Sequence, residues 1–161
     1  NLVKYFPLGL TSIFKNLETV EISNSSLIEV KNSDLQQFGT NLKTFWPLHN
    51  TLEVLDADLF KFNPNLERIS FFDNQIRHVE NGIFKNLKNL WRLRFDNNLC
   101  ISDFAVNRTA ILKLVYEVEK KCKDVTIIMR KYHEASMTKL DKISAKIDEL
   151  DSKCLKEIPR N

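Results

Sequence analysis

Three cysteines, three histidines and a few carboxylates are the residues whose types could carry chemistry in this 161-residue chain. His49, His78 and His133 have no neighbour at metal-ligand spacing. His-Glu-x-x-His, a glycine-rich phosphate loop, Gly-x-Ser-x-Gly and Cys-x-x-Cys are all absent. Asp56 and Asp58 stand two apart in a segment between strands and read as solvated carboxylates rather than an acid–base pair. The expectation is therefore no enzyme, no cofactor and no metal site. What remains is the pairing chemistry of Cys100, Cys122 and Cys154, and the recognition chemistry of Trp46, Leu48, Arg68, Phe72, Arg92 and Arg94. Aromatic residues beside arginine are the composition of protein-interface hot spots.

The elements that must position these groups are constrained by composition. Apolar residues make up 43% of the chain, enough for a packed core, and only 3 Gly and 4 Pro exclude collagen-like and low-complexity classes. A balance of 24 Lys+Arg against 21 Asp+Glu gives a formal charge of +3, too even for a nucleic-acid partner to be the default. No apolar run approaches the length of a membrane span. Asparagine occurs 16 times, and its excess is positional.

Aligning Leu17, Leu42, Leu66 and Leu90 shows why. Three residues after each come Val20, Phe45, Ile69 and Leu93; five after come Ile22, Pro47, Phe71 and Phe95. Eight after come Ser25, Asn50, Asn74 and Asn98; ten after come Leu27, Leu52, Ile76 and Cys100. This is L-x-x-L-x-L-x-x-N-x-L at a leucine-rich-repeat period. The alternation makes a short strand with two side chains inward, and the asparagine turns the chain while bonding backbone groups of adjacent units. The predicted fold is an α/β leucine-rich-repeat solenoid, right-handed, with short parallel strands on its concave face and a carboxy-terminal helical cap and tail. Residues 1–99 form the repeats, the first incomplete; 100–123 form a cysteine-closed cap; 124–161 form a helical, coiled-coil-like tail. Because the frame starts within a repeat, an upstream part with a signal peptide is expected to be missing. Pro47 cannot donate to a ladder, Ser25 replaces the turn asparagine, and one extra residue falls near Gly39, so the strand at Phe45 is expected to be the most irregular.

Cys100 occupies an inward column, and Cys122 lies on the apolar face of a helix read over residues 109–122, with Ile111, Leu114, Val115 and Val118. A disulfide between them would close the open end of the repeats, worth roughly 3 kcal/mol in the chain-entropy picture; two buried free thiols are the alternative. Asn24-Ser25-Ser26 and Asn107-Arg108-Thr109 are glycosylation sequons at Asn24 and Asn107. In the tail, Leu140, Ile143, Ile147, Leu150 and Cys154 are spaced 3, 4, 3, 4, a heptad seam. A homo- or heterodimer through this seam, with Cys154 as inter-chain candidate, stands beside a helix folded back on the repeats, and a partner for Cys154 in the missing upstream part is the other reading of the odd cysteine.

Within the repeat frame the outward strand residues are Thr19, Glu21 and Ser23; Thr44, Trp46 and Leu48; Arg68, Ser70 and Phe72; Arg92, Arg94 and Asp96. Trp46, Leu48 and Phe72 are expected to form an apolar patch flanked by Arg68, Arg92 and Arg94, and the predicted partner is a protein ligand on the concave face. Repeats, a cysteine-closed end and a helical heptad tail together resemble the insect secreted leucine-rich-repeat proteins, and among them the mosquito leucine-rich-repeat immune proteins. The resemblance implies haemolymph secretion, disulfide-linked dimers and association with complement-like thioester proteins. The expected function is a secreted, glycosylated, extracellular recognition module in innate immunity. A fragment of a cell-surface receptor or adhesion ectodomain, Toll-like or chaoptin-like, is one alternative; an intracellular scaffold regulating an enzyme is another.

Overall fold

The computed structural model describes the backbone of residues 3–156 and the side chains of residues 3–150. The chain divides into two compact units, Asn1–Lys123 and Asp124–Asn161.

In the first unit the 24-residue spacing becomes strand pairing. Strands β1 (Thr19–Glu21), β2 (Thr44–Trp46), β4 (Arg68–Ser70) and β6 (Arg92–Arg94) lie side by side and parallel. Between them, β3 (Val54–Leu55) and β5 (His78–Val79) pair in a second, two-stranded parallel sheet. Register follows the repeat columns: Val20 meets Phe45, Phe45 meets Ile69, and Ile69 meets Leu93. These inward residues are buried, and so are Leu27, Leu52 and Ile76 behind them. Seven phenylalanines run through the core. Phe6, Phe38, Phe45, Phe60, Phe71, Phe84 and Phe95 form one connected network of ring contacts, with centroid separations from 5.3 Å (Phe71–Phe95) to 6.5 Å (Phe6–Phe45). Separations in this range suit edge-to-face and tilted aromatic pairs.

The turn asparagines stitch one unit to the next. Asn50 Oδ1 accepts from Leu27 N at 3.0 Å, while its Nδ2 donates to Ile22 O at 2.7 Å and Leu48 O at 2.9 Å. Asn74 repeats this on Leu52 N and Pro47 O, and Asn98 on Ile76 N and Phe71 O. Among the described residues, Ser25 Oγ donates to Ser23 O at 3.3 Å.

The residue before each turn position has positive φ: Asn24 (50°), His49 (51°), Asp73 (54°) and Asn97 (58°). Asn, Asp and His are the non-glycine residues that enter this region most readily. Two short helices, α1 (Leu10–Ile13) and α2 (Asn32–Gln36), flank β1, and the extra residue falls where a 3-10 turn, Gly39–Asn41, follows α2. Gly39 there has φ +52°, which glycine adopts without strain.

Pro47 costs one rung. Ile22 N donates to Trp46 O and Phe71 N to Arg94 O, but the proline at the equivalent place has no N–H. The β2–β4 register accordingly holds two residue pairs where β1–β2 and β4–β6 hold three. Pairing resumes at once, with His49 N donating to Phe72 O at 3.0 Å.

After the last repeat a short strand precedes the helix read from sequence. β7 (Phe104–Val106) runs antiparallel to β6 as a fifth strand, placing Val106 opposite Arg92, Ala105 opposite Leu93 and Phe104 opposite Arg94. Ala105, small and buried, completes the inward rung. Helix α3 (Arg108–Lys121) follows, capped by Asn107 Oδ1 accepting from Ala110 N at 3.0 Å, and buries Ile111, Leu114 and Val118. Near its end, the hydrogen bond from Lys121 holds the Glu117 carboxyl below the usual carboxylate range. Cys100 and Cys122 are joined in a disulfide. Cys122 O also accepts from Val79 N at 2.9 Å, tying the end of α3 to β5.

Among the described residues the second unit is one helix, α4 (Val125–Lys156). Leu140, Ile143, Ile147 and Leu150 are exposed on it. Cys154 belongs to this helix by backbone, but its side chain lies outside the described residues.

Candidate functional site

The outer face of the five-stranded sheet gathers the six residues singled out for recognition. Strand register orders it into rungs. One rung runs Thr19, Thr44, Arg68, Arg92, Val106. A second is built from Glu21 opposite Trp46, and from Ser70 opposite Arg94, which in turn lies opposite Phe104. Its floor is polar and buried, with Thr44 at 1% and Ser70 at 4% exposure under the longer side chains.

Trp46, Leu48 and Phe72 share this face, and all three are half-buried. Phe72 is covered locally. The Arg94 guanidinium lies 4.7 Å over the Phe72 ring, a cation–π contact. The His49 ring meets Phe72 edge-on at 5.0 Å. Arg94 is further fixed by Nε donating to Asp96 Oδ2 at 2.9 Å. His49 Nδ1 lies 2.6 Å from Asp73 Oδ2, and Asp73 accepts from Asn97 through its other oxygen, so the positive-φ column is itself linked across three units. Trp46, Leu48, Ser70, Arg92 and Arg94 line a shallow cleft of about 110 Å³. That is room for one side chain of a partner rather than for a cofactor.

Sequence reasoning missed two apolar contributors. Phe104 (56% exposed) and Val106 (44% exposed) lie on the outer rungs beside Arg94 and Arg92. Their signal is faint, because a three-residue strand is too short for alternation to show.

The glycosylation candidates are both at the surface. Asn24 is exposed at its positive-φ turn. Asn107 is exposed as well, and it caps α3 through Oδ1, leaving Nδ2 uncommitted by the cap. The histidines are dispersed: His49 on the outer face, His78 buried in β5 and His133 exposed on α4. Among the described residues no group of three or more His, Cys, Asp or Glu could hold a metal ion, and no helix is long and apolar enough to cross a membrane.

No family model and no curated protein matches the chain. A solved structure does: the "Toll - Spatzle complex, a molecular hub in Drosophila development and innate immunity" contains a chain similar to this one, with a TM-score of 0.55 and 28% identity. The match covers 61% of this chain and 13% of that chain, so this protein spans a small part of its structural neighbour's length.

Proposed function

We propose that this chain is a leucine-rich-repeat solenoid module of an extracellular recognition protein, and that it binds a protein ligand on the concave, outer face of its sheet. The observation that carries this reading is the convergence of Trp46, Leu48, Phe72, Arg68, Arg92 and Arg94 on one face, around a cleft sized for a side chain. Four units in common register, joined by asparagine ladders, support the repeat assignment. The Cys100–Cys122 bridge supports an oxidising compartment and secretion. The likeness to a Toll chain supports a receptor-related or innate-immune role, since that structure shows Toll in complex with Spatzle. A fragment of a receptor ectodomain shares all of these supports, and the bridge disfavours an intracellular scaffold.

A second observation supports a role for the tail. Four apolar side chains at heptad spacing are exposed on α4, and we propose that this seam pairs with a second helix, from another copy or a related chain. Cys154 is the candidate inter-chain cysteine.

The face reading is tested by selecting binders from a displayed protein-domain library. The double substitution Trp46→Ala, Phe72→Ala should weaken the selected binders at least about tenfold, as loss of hot-spot anchors does, while cooperative unfolding is retained. Binders indifferent to both substitutions would move the interface elsewhere.

A further inference from the structure

The rung Thr44, Arg68, Arg92, Val106 carries two cations and no carboxylate. Arg68 and Arg92 are direct register partners on adjacent strands, and like charges placed opposite each other destabilise a sheet. The neighbouring rung handles its cation differently, because Arg94 is neutralised by Asp96 and stacked on Phe72. Arg68 donates Nε to a neutral acceptor, Thr44 Oγ1, at 3.0 Å, and among the described residues no carboxylate pairs with either Arg68 or Arg92. A guanidinium has five N–H donors, so most of the donors on both residues remain for an incoming acceptor. Both side chains are half-buried, which strengthens their attraction for an anion relative to full solvation.

From this arrangement we infer that Arg68 and Arg92 form a clamp for a carboxylate side chain carried by an extended acidic segment of a protein partner. The inference rests on the reading of the outer face as an interface and adds the chemistry of what it takes. Arginine donates two parallel hydrogen bonds to a carboxylate, and two arginines on one rung can engage both oxygens. Val106 and Phe104, exposed on the same two rungs, supply apolar ground for the residues that alternate with the acid. A polyanion such as nucleic acid fits poorly, because Glu21 and Asp96 lie on the same face. Arg94, chosen from sequence with the other two, is not part of the clamp, since its charge is already met.

The test uses the full chain and a labelled pentapeptide alternating glutamate with valine and phenylalanine, followed by fluorescence anisotropy. A peptide with glutamine for glutamate is the control. The glutamate peptide should bind, the glutamine peptide should not, and binding should weaken with added salt. Arg68→Gln and Arg92→Gln should each cost about tenfold or more in affinity, as truncating one partner of a charge pair does, with Lys88→Gln, an exposed lysine in a turn outside the strands, within about threefold of the unaltered chain. In the free chain, Arg92→Gln should raise the thermal midpoint by relieving repulsion, an effect a structural arginine would not give. Absence of glutamate-peptide binding, equal affinity for the glutamine peptide, or unchanged affinity in both glutamine variants overturns the clamp. Sulfate binding without peptide binding also overturns it and assigns the pair to sulfate esters. A display-selected binder that needs Trp46 and Phe72 but is indifferent to Arg68→Gln and Arg92→Gln sinks the clamp alone and leaves the face reading standing.

Discussion

Asn74 makes with one side chain four contacts that no hydrophobic residue could replace. Its oxygen satisfies Leu52 N, and its amide nitrogen reaches Pro47 O, Phe71 O and Phe72 O. Asn74→Ala removes these bonds and strands buried backbone groups, which should cost about 2–4 kcal/mol in urea unfolding, given roughly 1–3 for each buried group left unsatisfied. Ser25→Ala at the equivalent place in the first unit should change stability less, because among the described residues its hydroxyl makes one long, local bond. Similar losses at both positions would show that the ladder is not what holds adjacent units. The turn column was legible in the sequence because only asparagine offers donor and acceptor together at that size. The column before it, Asn24, His49, Asp73 and Asn97, went unread, although all four are residue types that tolerate positive φ. The shared property there is a backbone preference, which neither hydrophobic period nor charge reveals. Side-chain pairs one repeat apart were hidden for the same reason: Glu53–Arg77 (2.6 Å) and Glu18–Lys43 (2.8 Å) follow from register and not from local spacing.

At the scale of elements, the parallel strands were visible because their inward residues recur, whereas β7 was not, because it runs the other way and belongs to no repeat. Its place is set by closure. Phe95 N donates to Asp103 O and Asn107 N to Trp91 O, so the chain doubles back along β6 and gives the sheet its last strand. The helix behind it was expected over nearly the residues where it forms, since its apolar face recurs at helical spacing. Closure at this end is covalent as well. The Cys100–Cys122 bridge spans a sequence separation of 22, and removing that loop constraint by substituting both cysteines with serine should cost about 3 kcal/mol. The cost should appear as a lower denaturation midpoint and match the loss on reducing the unaltered chain. An undiminished midpoint would mean that β7 and α3 close the sheet without help. The outer-face residues illustrate the other boundary of sequence reading. Their shared face followed from alternation, but the cover that Arg94 and His49 place on Phe72 depends on three dimensions, and so does the distinction between a neutralised and a free arginine.

At the scale of the molecule, the two units carry different burdens. The first holds the phenylalanine core and the asparagine ladders, so a chain ending at Lys123 should unfold cooperatively with a midpoint within a few degrees of the full chain's, a shift of less than about 1 kcal/mol. The second is a 32-residue helix whose seam residues, Leu140, Ile143, Ile147 and Leu150, are each more than half exposed. A helix of this kind draws most of its stability from packing an apolar face, and a second copy would supply that packing. Fully burying one such side chain stabilises by roughly 1.5–3 kcal/mol, and here only part of each remains to be buried. Association itself costs an estimated 4–15 kcal/mol. The two are of the same order, so pairing through this seam should be weak and concentration-dependent unless a covalent link at Cys154 adds to it. Sedimentation under reducing conditions at roughly tens of micromolar should therefore show a monomer–dimer equilibrium for the full chain and monomer alone for the chain ending at Lys123. Replacing Ile143 and Ile147 by lysine should abolish the dimer while leaving the unfolding midpoint of the first unit where it was. A full-length chain that stays monomeric at every concentration would remove self-pairing and leave a helix from a related chain as the seam's partner. Dimers that survive the truncation would instead place the contact on the repeat unit.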